Sequence, residues 1–443
     1  MRTPVGKAIA LLLVAGLLAS PLGAQQRLVQ KTAVLALPPE LTEARIRAHV
    51  IAPARLQDIQ IEEVDETREV HYAFPGVIQK LPAGPRLDLG AFGLAINTVL
   101  KSQVAGYILQ VRKNGTLVHN GIWNWAQTPA DQGKGWTEDT RMHVASVSKF
   151  LTAVGMVKAL DSKGISYDTK IIGYLPDYWT KGPNIDKITF KHLMTHRSGF
   201  STGGSGTNYE FMKGKVAAGV PMVGGYDYEN MNFGLCRILI PIIMGNIGKG
   251  AMFVNPADMK DRVGFYKATA LNDQAWDAVT LYHYKKFMQT KLFTPAGVVN
   301  ANFEPLAGGK NALAYPYSPG NVHGWDSGDL ATVAGGAGWR LSTKELLNVM
   351  NAVRRKNSIL PAEKAQFLLD NYFGIDQAID TPAGKIYNKN GAWGTGDGRR
   401  EQCVAYFLPN QMELVLFVNS PIGKEGFSLR GIVKDAYVGS LTN

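Results

Sequence analysis

Strand patterns stand near both ends of this 443-residue chain and helical patterns fill the middle, an order that few folds accommodate. An early hairpin reads from the runs 107–111 and 116–122, joined through Asn114-Gly115, a dipeptide suited to a two-residue turn. A late hairpin reads over 402–418 and a closing helix over 429–437. One antiparallel sheet made from both ends of the chain, with a helical cluster alongside, satisfies this order. The expected class is therefore α+β.

Chemistry first shows in Ser146-Val147-Ser148-Lys149, the only S-x-x-K in the chain. Positions i and i+3 share a helix face, so the Lys149 amine can reach the Ser146 hydroxyl. Phe150, Leu151, Val154, Val157 and Leu160 follow at helical spacing until Gly164 can end the helix. Ser146 then falls at a helix N-terminus, where free N–H groups and the helix dipole favour negative charge. Taken alone the motif is weak, because Ser is also a leading N-cap residue and Lys a common surface residue.

Two more motifs follow in order. Tyr228-Glu229-Asn230 is the only Y-x-N triplet and precedes Phe233, Leu235, Ile238, Leu239 and Ile240, the buried side of another expected helix. Lys389-Asn390-Gly391-Ala392 precedes a turn rich in glycine (Gly394, Gly396, Gly398) and the strand 403–408. The second K-N-G, at Lys113-Asn114-Gly115, is the turn of the early hairpin. A rival nucleophile is Ser201 in Gly199-Phe200-Ser201-Thr202-Gly203, which fits G-x-S-x-G. That elbow needs a strand before its Ser and a helix after it, whereas 190–196 reads as helical and 203–208 as loop. The eight His residues form no H-x-x-x-H or H-E-x-x-H pair, so neither metal nor other cofactor is expected. His196 and His323 read as local hydrogen-bonding residues, with His323 in a glycine-flanked loop.

With these three motifs in place, the chain resembles the serine β-lactamase-like hydrolases, the family of class C β-lactamases, D-Ala-D-Ala peptidases and related esterases. S-x-x-K, Y-x-N and K-T-G are that family's active-site motifs, in that order. Further likeness lies in ITFKHLMTHRSGF (188–200), GGAGWRLSTKELLNVM (335–350) and the closing strands 389–421. The resemblance covers about 86–437. It implies the β-lactamase/transpeptidase-like fold: an antiparallel sheet formed by both chain ends, flanking helices and a helical subdomain, with the active site between sheet and helices.

Carried over motif by motif, the resemblance implies Ser146 as acylated nucleophile and Lys149 as the group that lowers its pKa or takes its proton. Tyr228 matches the family's proposed general base and acid, so Tyr228 and Lys149 both stand as candidates for the base. Asn230 would orient Lys149 and bind the substrate carbonyl. Lys389 would bring positive charge to Tyr228 and to a substrate carboxylate. The backbone N–H groups of Ser146 and Ala392 would form the oxyanion hole, with Asn390 and Gly391 beside them on the substrate side. Ionising an ordinary Tyr at pH 7 costs about 4 kcal/mol, and the two ammonium groups are expected to lower the Tyr228 pKa. The implied activity is hydrolysis of an amide or ester in a small-molecule or peptide substrate. Two departures bear on it: Glu229 stands where a small residue is common, and Asn390 replaces the Thr whose hydroxyl would help bind an antibiotic carboxylate. A peptidase- or esterase-like activity is favoured, with class C-type β-lactamase the nearest alternative. A catalytically silent protein that binds cell-wall fragments or a partner is the alternative of another class.

The remaining chain bounds the setting. Arg2 and Lys7, the apolar run 8–18 and Leu22-Gly23-Ala24 read as a secretory signal peptide (1–24) cut near Ala24, too short for a membrane span. An exported protein, periplasmic or secreted and without stable membrane insertion, is expected. The formal charge of +11 falls to +9 once Arg2 and Lys7 leave, and its dispersal argues against a nucleic-acid surface. Cys236 and Cys403 sit in apolar patterns and read as two buried thiols rather than a disulfide framework. Residues 25–85 form an N-terminal extension without functional signal, residues 86–443 the hydrolase domain, and residues from about 245 to 277 an insertion able to shape a cleft. Gly335-Gly336-Ala337-Gly338, ahead of the capping box Ser342-x-x-Glu345, reads as a tight packing element.

Overall fold

The computed structural model describes residues 84–203, 206–355 and 357–442. The expected signal peptide and nearly all of the extension 25–85 lie outside the described residues. In chain order the elements are β1 (Arg86–Leu87), α1 (Leu89–Leu100), β2 (Gly106–Lys113), β3 (Thr116–Gln127), β4 (Lys134–Gly135) and β5 (Met142–His143). The helical centre follows: α2 (Val147–Ser162), α3 (Phe190–Met194), α4 (Tyr209–Ala218), α5 (Asn230–Ile243) and α6 (Arg262–Met288). The chain closes with β6 (Arg340–Leu341), α7 (Thr343–Arg355), α8 (Ala362–Asp370), β7 (Gln377–Thr381), β8 (Gly384–Gly394), β9 (Arg400–Leu408), β10 (Met412–Val418), α9 (Leu429–Gly439) and β11 (Leu441–Thr442).

Seven strands form one antiparallel sheet in the order β4-β3-β2-β10-β9-β8-β7, so the two ends of the chain meet where β2 pairs with β10. Asn114 and Gly115 take positive φ (52° and 80°), the backbone a tight β2–β3 hairpin requires. Alternation along each strand sends side chains to two separate cores. Leu109, Tyr406 and Leu416 pack against α1 and α9, while Ile108, Phe407 and Phe417 pack against the helical centre. Because both faces are covered, β10 is buried along its whole length and shows no polar alternation.

Helix α2 is the axis of the helical side. Thirteen of its sixteen residues are buried, more than the one apolar stripe legible in its sequence. Gly155 allows α6 to approach, since a Cβ there would lie 2.5 Å from Met288 Sδ. The start of α2 is pinned by β5, which pairs with β6 through Met142–Leu341 and His143–Arg340. The region expected as an insertion holds the loop after α5 and the first half of α6, where Val263, Phe265 and Tyr266 are exposed. Cys236 and Cys403 are both buried and free.

Candidate active site

The chain reaches Ser146 through a constrained turn. Val144 N donates to Trp339 O at 2.9 Å, Ala145 takes φ 43°, and Val147 N closes back on Val144 O at 3.0 Å. A positive φ at Ala marks strain held by its surroundings. Ser146 occupies the N-cap position of α2, yet its side chain makes no capping hydrogen bond. The plain capping role therefore does not account for it, and its partly exposed hydroxyl instead meets Lys149.

Lys149 is wholly buried, and its Nζ donates to Ser146 Oγ at 2.8 Å, Asn230 Oδ1 at 2.6 Å and Gly336 O at 3.0 Å. Asn230 is delivered by the first turn of α5. Gly336 is delivered by the glycine segment before β6, which lies so close that a Cβ on Gly336 would stand 3.0 Å from Asn230 O. The expected tight packing of 335–338 is thus present, and its carbonyls also serve the site: Gly335 O accepts from Thr152 Oγ1 at 2.7 Å.

Tyr228 lies above both amines. Lys149 Nζ and Lys389 Nζ stand 4.8 Å and 4.9 Å from its ring centroid, and Lys389 donates to Tyr228 Oη at 3.2 Å. The hydroxyl also shares a hydrogen bond with Ser146. His196 stacks on the ring at 4.3 Å and accepts from Glu229 N at 3.0 Å through Nδ1. Glu229, also wholly buried, accepts from the backbone N–H and the hydroxyl of Thr202. It thereby holds the 201–203 turn, and the rival Ser201 is an exposed residue of that loop rather than the head of a strand–helix elbow.

Lys389 stands on β8 and also bonds Asp376, whose second oxygen accepts from Asn390 N at 3.0 Å. Pairing between β7 and β8 ends at Asn388, so from Lys389 onward the outer edge of β8 has no strand partner in β7. Asn390 N–H points off that edge, and two residues on Ala392 N–H points the same way. Gly391 lies against the start of α2: a Cβ there would meet Val144 O at 2.6 Å and Ser146 N at 2.7 Å. Any side chain at this position would force β8 away from Ser146. Asn390 and Ala392 line a cavity of about 200 Å³ bordered by Gln402, Lys424 and Phe427 on the α9 side.

The charges balance otherwise than the sequence led us to expect. Burial pushes the Tyr228 hydroxyl up to about 12; Lys389 pulls down, but Asp376 adds to the rise. Lys389 thus supplies the expected lowering, but burial, with Asp376 beside it, outweighs it. Burial also lowers Lys389, but the Asp376 carboxylate and Tyr228 outweigh it and hold the ammonium above its ordinary value. His196 is kept well below 6.5 by burial, then by Lys389 and Lys149, which leaves a neutral ring. Among the described residues no cluster of three or more His, Cys, Asp or Glu is arranged to hold a metal ion. His323 lies away from this group, exposed and bonded to Asp131 at 2.9 Å.

The structure thus brings together Ser146, Lys149, Tyr228, Asn230, Lys389 and Gly391, while Asn390 turns its side chain to the neighbouring cavity. Sequence reasoning missed Asp376, Gly336 O, the stacking of His196 and the anchoring role of Glu229. The glycine cluster at 335–338, the unusual Glu229 and the local hydrogen bonding read for His196 were signals, whereas Asp376 carried none.

Residues 77–246 match the family model described as Beta-lactamase. An uncharacterized protein of Alkalihalophilus pseudofirmus is 29% identical over 136 residues, 27% of this chain and 39% of that one. The chain thus spans less than half the length of this curated relative. Among solved structures, a penicillin-binding protein homologue from Pyrococcus abyssi aligns with a TM-score of 0.58 at 15% identity, covering 78% of this chain and 76% of that one. FmtA from Staphylococcus aureus aligns at 0.57 and 15% identity over 84% and 93% of the two chains. D-amino acid amidase from Ochrobactrum anthropi aligns at 0.55 and 16% identity over 79% and 97%. At these identities the likeness is one of fold: this chain has the β-lactamase/transpeptidase-like fold, a large antiparallel sheet flanked by helices.

Proposed function

We propose that the protein is a serine hydrolase that opens an amide or ester through an acyl-enzyme on Ser146, with a peptidase- or esterase-like range of substrates. The observation that carries this reading is the Lys149 amine, buried and 2.8 Å from Ser146 Oγ, with Asn230 Oδ1 and Gly336 O fixing its other two positions. Once the Lys149 ammonium gives up the proton it now donates to Ser146 Oγ, its two remaining N–H bonds serve those oxygens and the freed lone pair faces the Ser146 hydroxyl. With its pKa near 12, ionising Tyr228 at pH 7 would cost up to roughly 7 kcal/mol, an upper figure because its ring is partly exposed. We assign Lys149 as the base on its direct contact with Ser146 Oγ, and Tyr228 as a neutral hydroxyl.

Ser146 Oγ attacks the substrate carbonyl carbon while its proton passes to Lys149. The carbonyl electron pair moves to oxygen, which the N–H groups of Ser146 and Ala392 hold; each such donor is worth about 3–4 kcal/mol. Collapse breaks the bond to the leaving oxygen or nitrogen, which takes up the proton relayed from Lys149 by the Tyr228 hydroxyl. Water then hydrolyses the acyl-enzyme by the same route in reverse, returning Ser146 to its starting state. Support for a small acyl substrate comes from the names of fold relatives, among them a D-amino acid amidase and a D-alanine carboxypeptidase from Burkholderia cenocepacia.

Hydrolysis of 4-nitrophenyl acetate by the wild type, Ser146→Ala, Lys149→Ala and Tyr228→Phe tests the assignment. The first two variants should lose at least about a thousandfold in kcat/KM, and Tyr228→Phe less. Wild-type rates in Ser146→Ala would refute the nucleophile.

A further inference from the structure

The Asp376 carboxylate sits beside the reaction centre, a place where the sequence offered no acidic group. Its backbone is tied to β8 by Asp376 N donating to Asn388 O at 2.9 Å. Its side chain, only 10% exposed, closes a ring: Oδ1 accepts from Lys389 and Oδ2 from Asn390 N. Lys389 is 2% exposed and spends two of its three N–H bonds on Asp376 and Tyr228. The Lys389 ammonium therefore meets an incoming ligand already neutralised by a carboxylate that nearly excludes solvent. A substrate that brought its own carboxylate to this edge of β8 would face Asp376 across a small gap, and like charges so placed repel with little screening.

We propose that Asp376 sets the charge specificity of the site, selecting esters or amides whose leaving side is uncharged and rejecting those that carry a carboxylate there. This inference rests on the Ser146 hydrolase reading and narrows its substrate class. Asp376 acts through Lys389 and through the local field, as a specificity-determining residue rather than a reacting one. Asn390 fits the same reading, since its backbone N–H is spent on Asp376 and its side chain lies toward the cavity on the other face of β8.

A matched pair of acetyl esters tests it: 3-acetoxybenzoate, with a carboxylate on the leaving group, and its methyl ester, identical at the scissile bond. The readout is the ratio of the two kcat/KM values within each protein, which cancels any general loss of activity. The wild type should favour the methyl ester by about tenfold or more. Asp376→Asn should shrink that ratio at least about fivefold, and Asp376→Glu, which keeps the charge, should restore most of it. Because the wild-type ratio needs no variant, it decides the matter even if Asp376→Asn fails to fold; a ratio near one, or a preference for the anionic ester, would overturn the inference. An unchanged ratio in a folded Asp376→Asn would do the same. If both esters are hydrolysed with dependence on Ser146, those failures leave the hydrolase reading standing. If the wild type hydrolyses neither and Ser146 is not acylated, both fall together.

Discussion

In the proposed mechanism Lys149, one of two candidates for the base, takes that role and Tyr228 stays a neutral hydroxyl. A phenol between two ammonium groups looks acidified, and that holds only while both charges are free. Here burial raises the phenol most, and Asp376 offsets part of what Lys389 would lower. In the proposed mechanism Tyr228 does not ionise, so the acid limb of the kcat/KM–pH profile should persist in Tyr228→Phe. Its disappearance in that variant would make the phenolate the base. His196 offers a second titration. Its folded pKa lies well below its unfolded value of about 6.5, so below that value the unfolded chain binds a proton that the folded chain does not. Stability should fall as pH drops through 6.5 toward the folded pKa, by up to about 1.4 kcal/mol per pH unit for each such group. Buried His143, also lowered, adds in the same direction. Urea midpoints at pH 7.5 and 5.5 should differ, and His196→Asn, whose Oδ1 can still accept from Glu229 N, should narrow the gap. An equal gap in that variant would exclude His196 as a source.

At the scale of elements, the sequence was most legible where one element carries both pattern and chemistry. The turn of S-x-x-K on α2 and the start of α5 after Tyr228 lie where their spacing placed them, and the third motif lies on β8, a closing strand as the resemblance implied. What escaped depends on how elements meet. Asp376 lies thirteen residues before Lys389 and becomes its neighbour only through the β7–β8 register, which no local pattern encodes. Gly336 O reaches Lys149 from 187 residues away, and a backbone carbonyl leaves no residue type to read. The seam between β8 and α2 is equally hidden, and it yields a prediction. Gly391→Val should push β8 from Ser146 and disturb the Ala392 N–H, with a loss in kcat/KM of about a hundredfold or more. Ala392→Ser, which keeps that N–H, should stay within a few fold of wild type. Equal losses in the two variants would place the effect in the side chain rather than in the backbone edge.

For the molecule as a whole, strands at both ends of the sequence imposed a sheet that joins them, and β2–β10 pairing does so. The two-sided burial of that sheet was less visible, because one face is covered by α1 and α9 from opposite ends of the chain and the other by the helical centre. Export remains a proposal from the first 24 residues. Expressed with its full leader in a bacterial host, the protein should be recovered outside the cytoplasm with Gln25 at its N-terminus; an intact leader on cytoplasmic protein would contradict it.

The central claim is that Ser146, activated by Lys149, becomes covalently acylated. Its most direct test is peptide mapping by mass spectrometry after treatment with a fluorophosphonate, on the wild type and Ser146→Ala side by side. The account predicts one adduct per chain, carried by Ser146 and missing from the variant. An adduct on Ser201 or elsewhere, or none on folded wild-type protein, would contradict it.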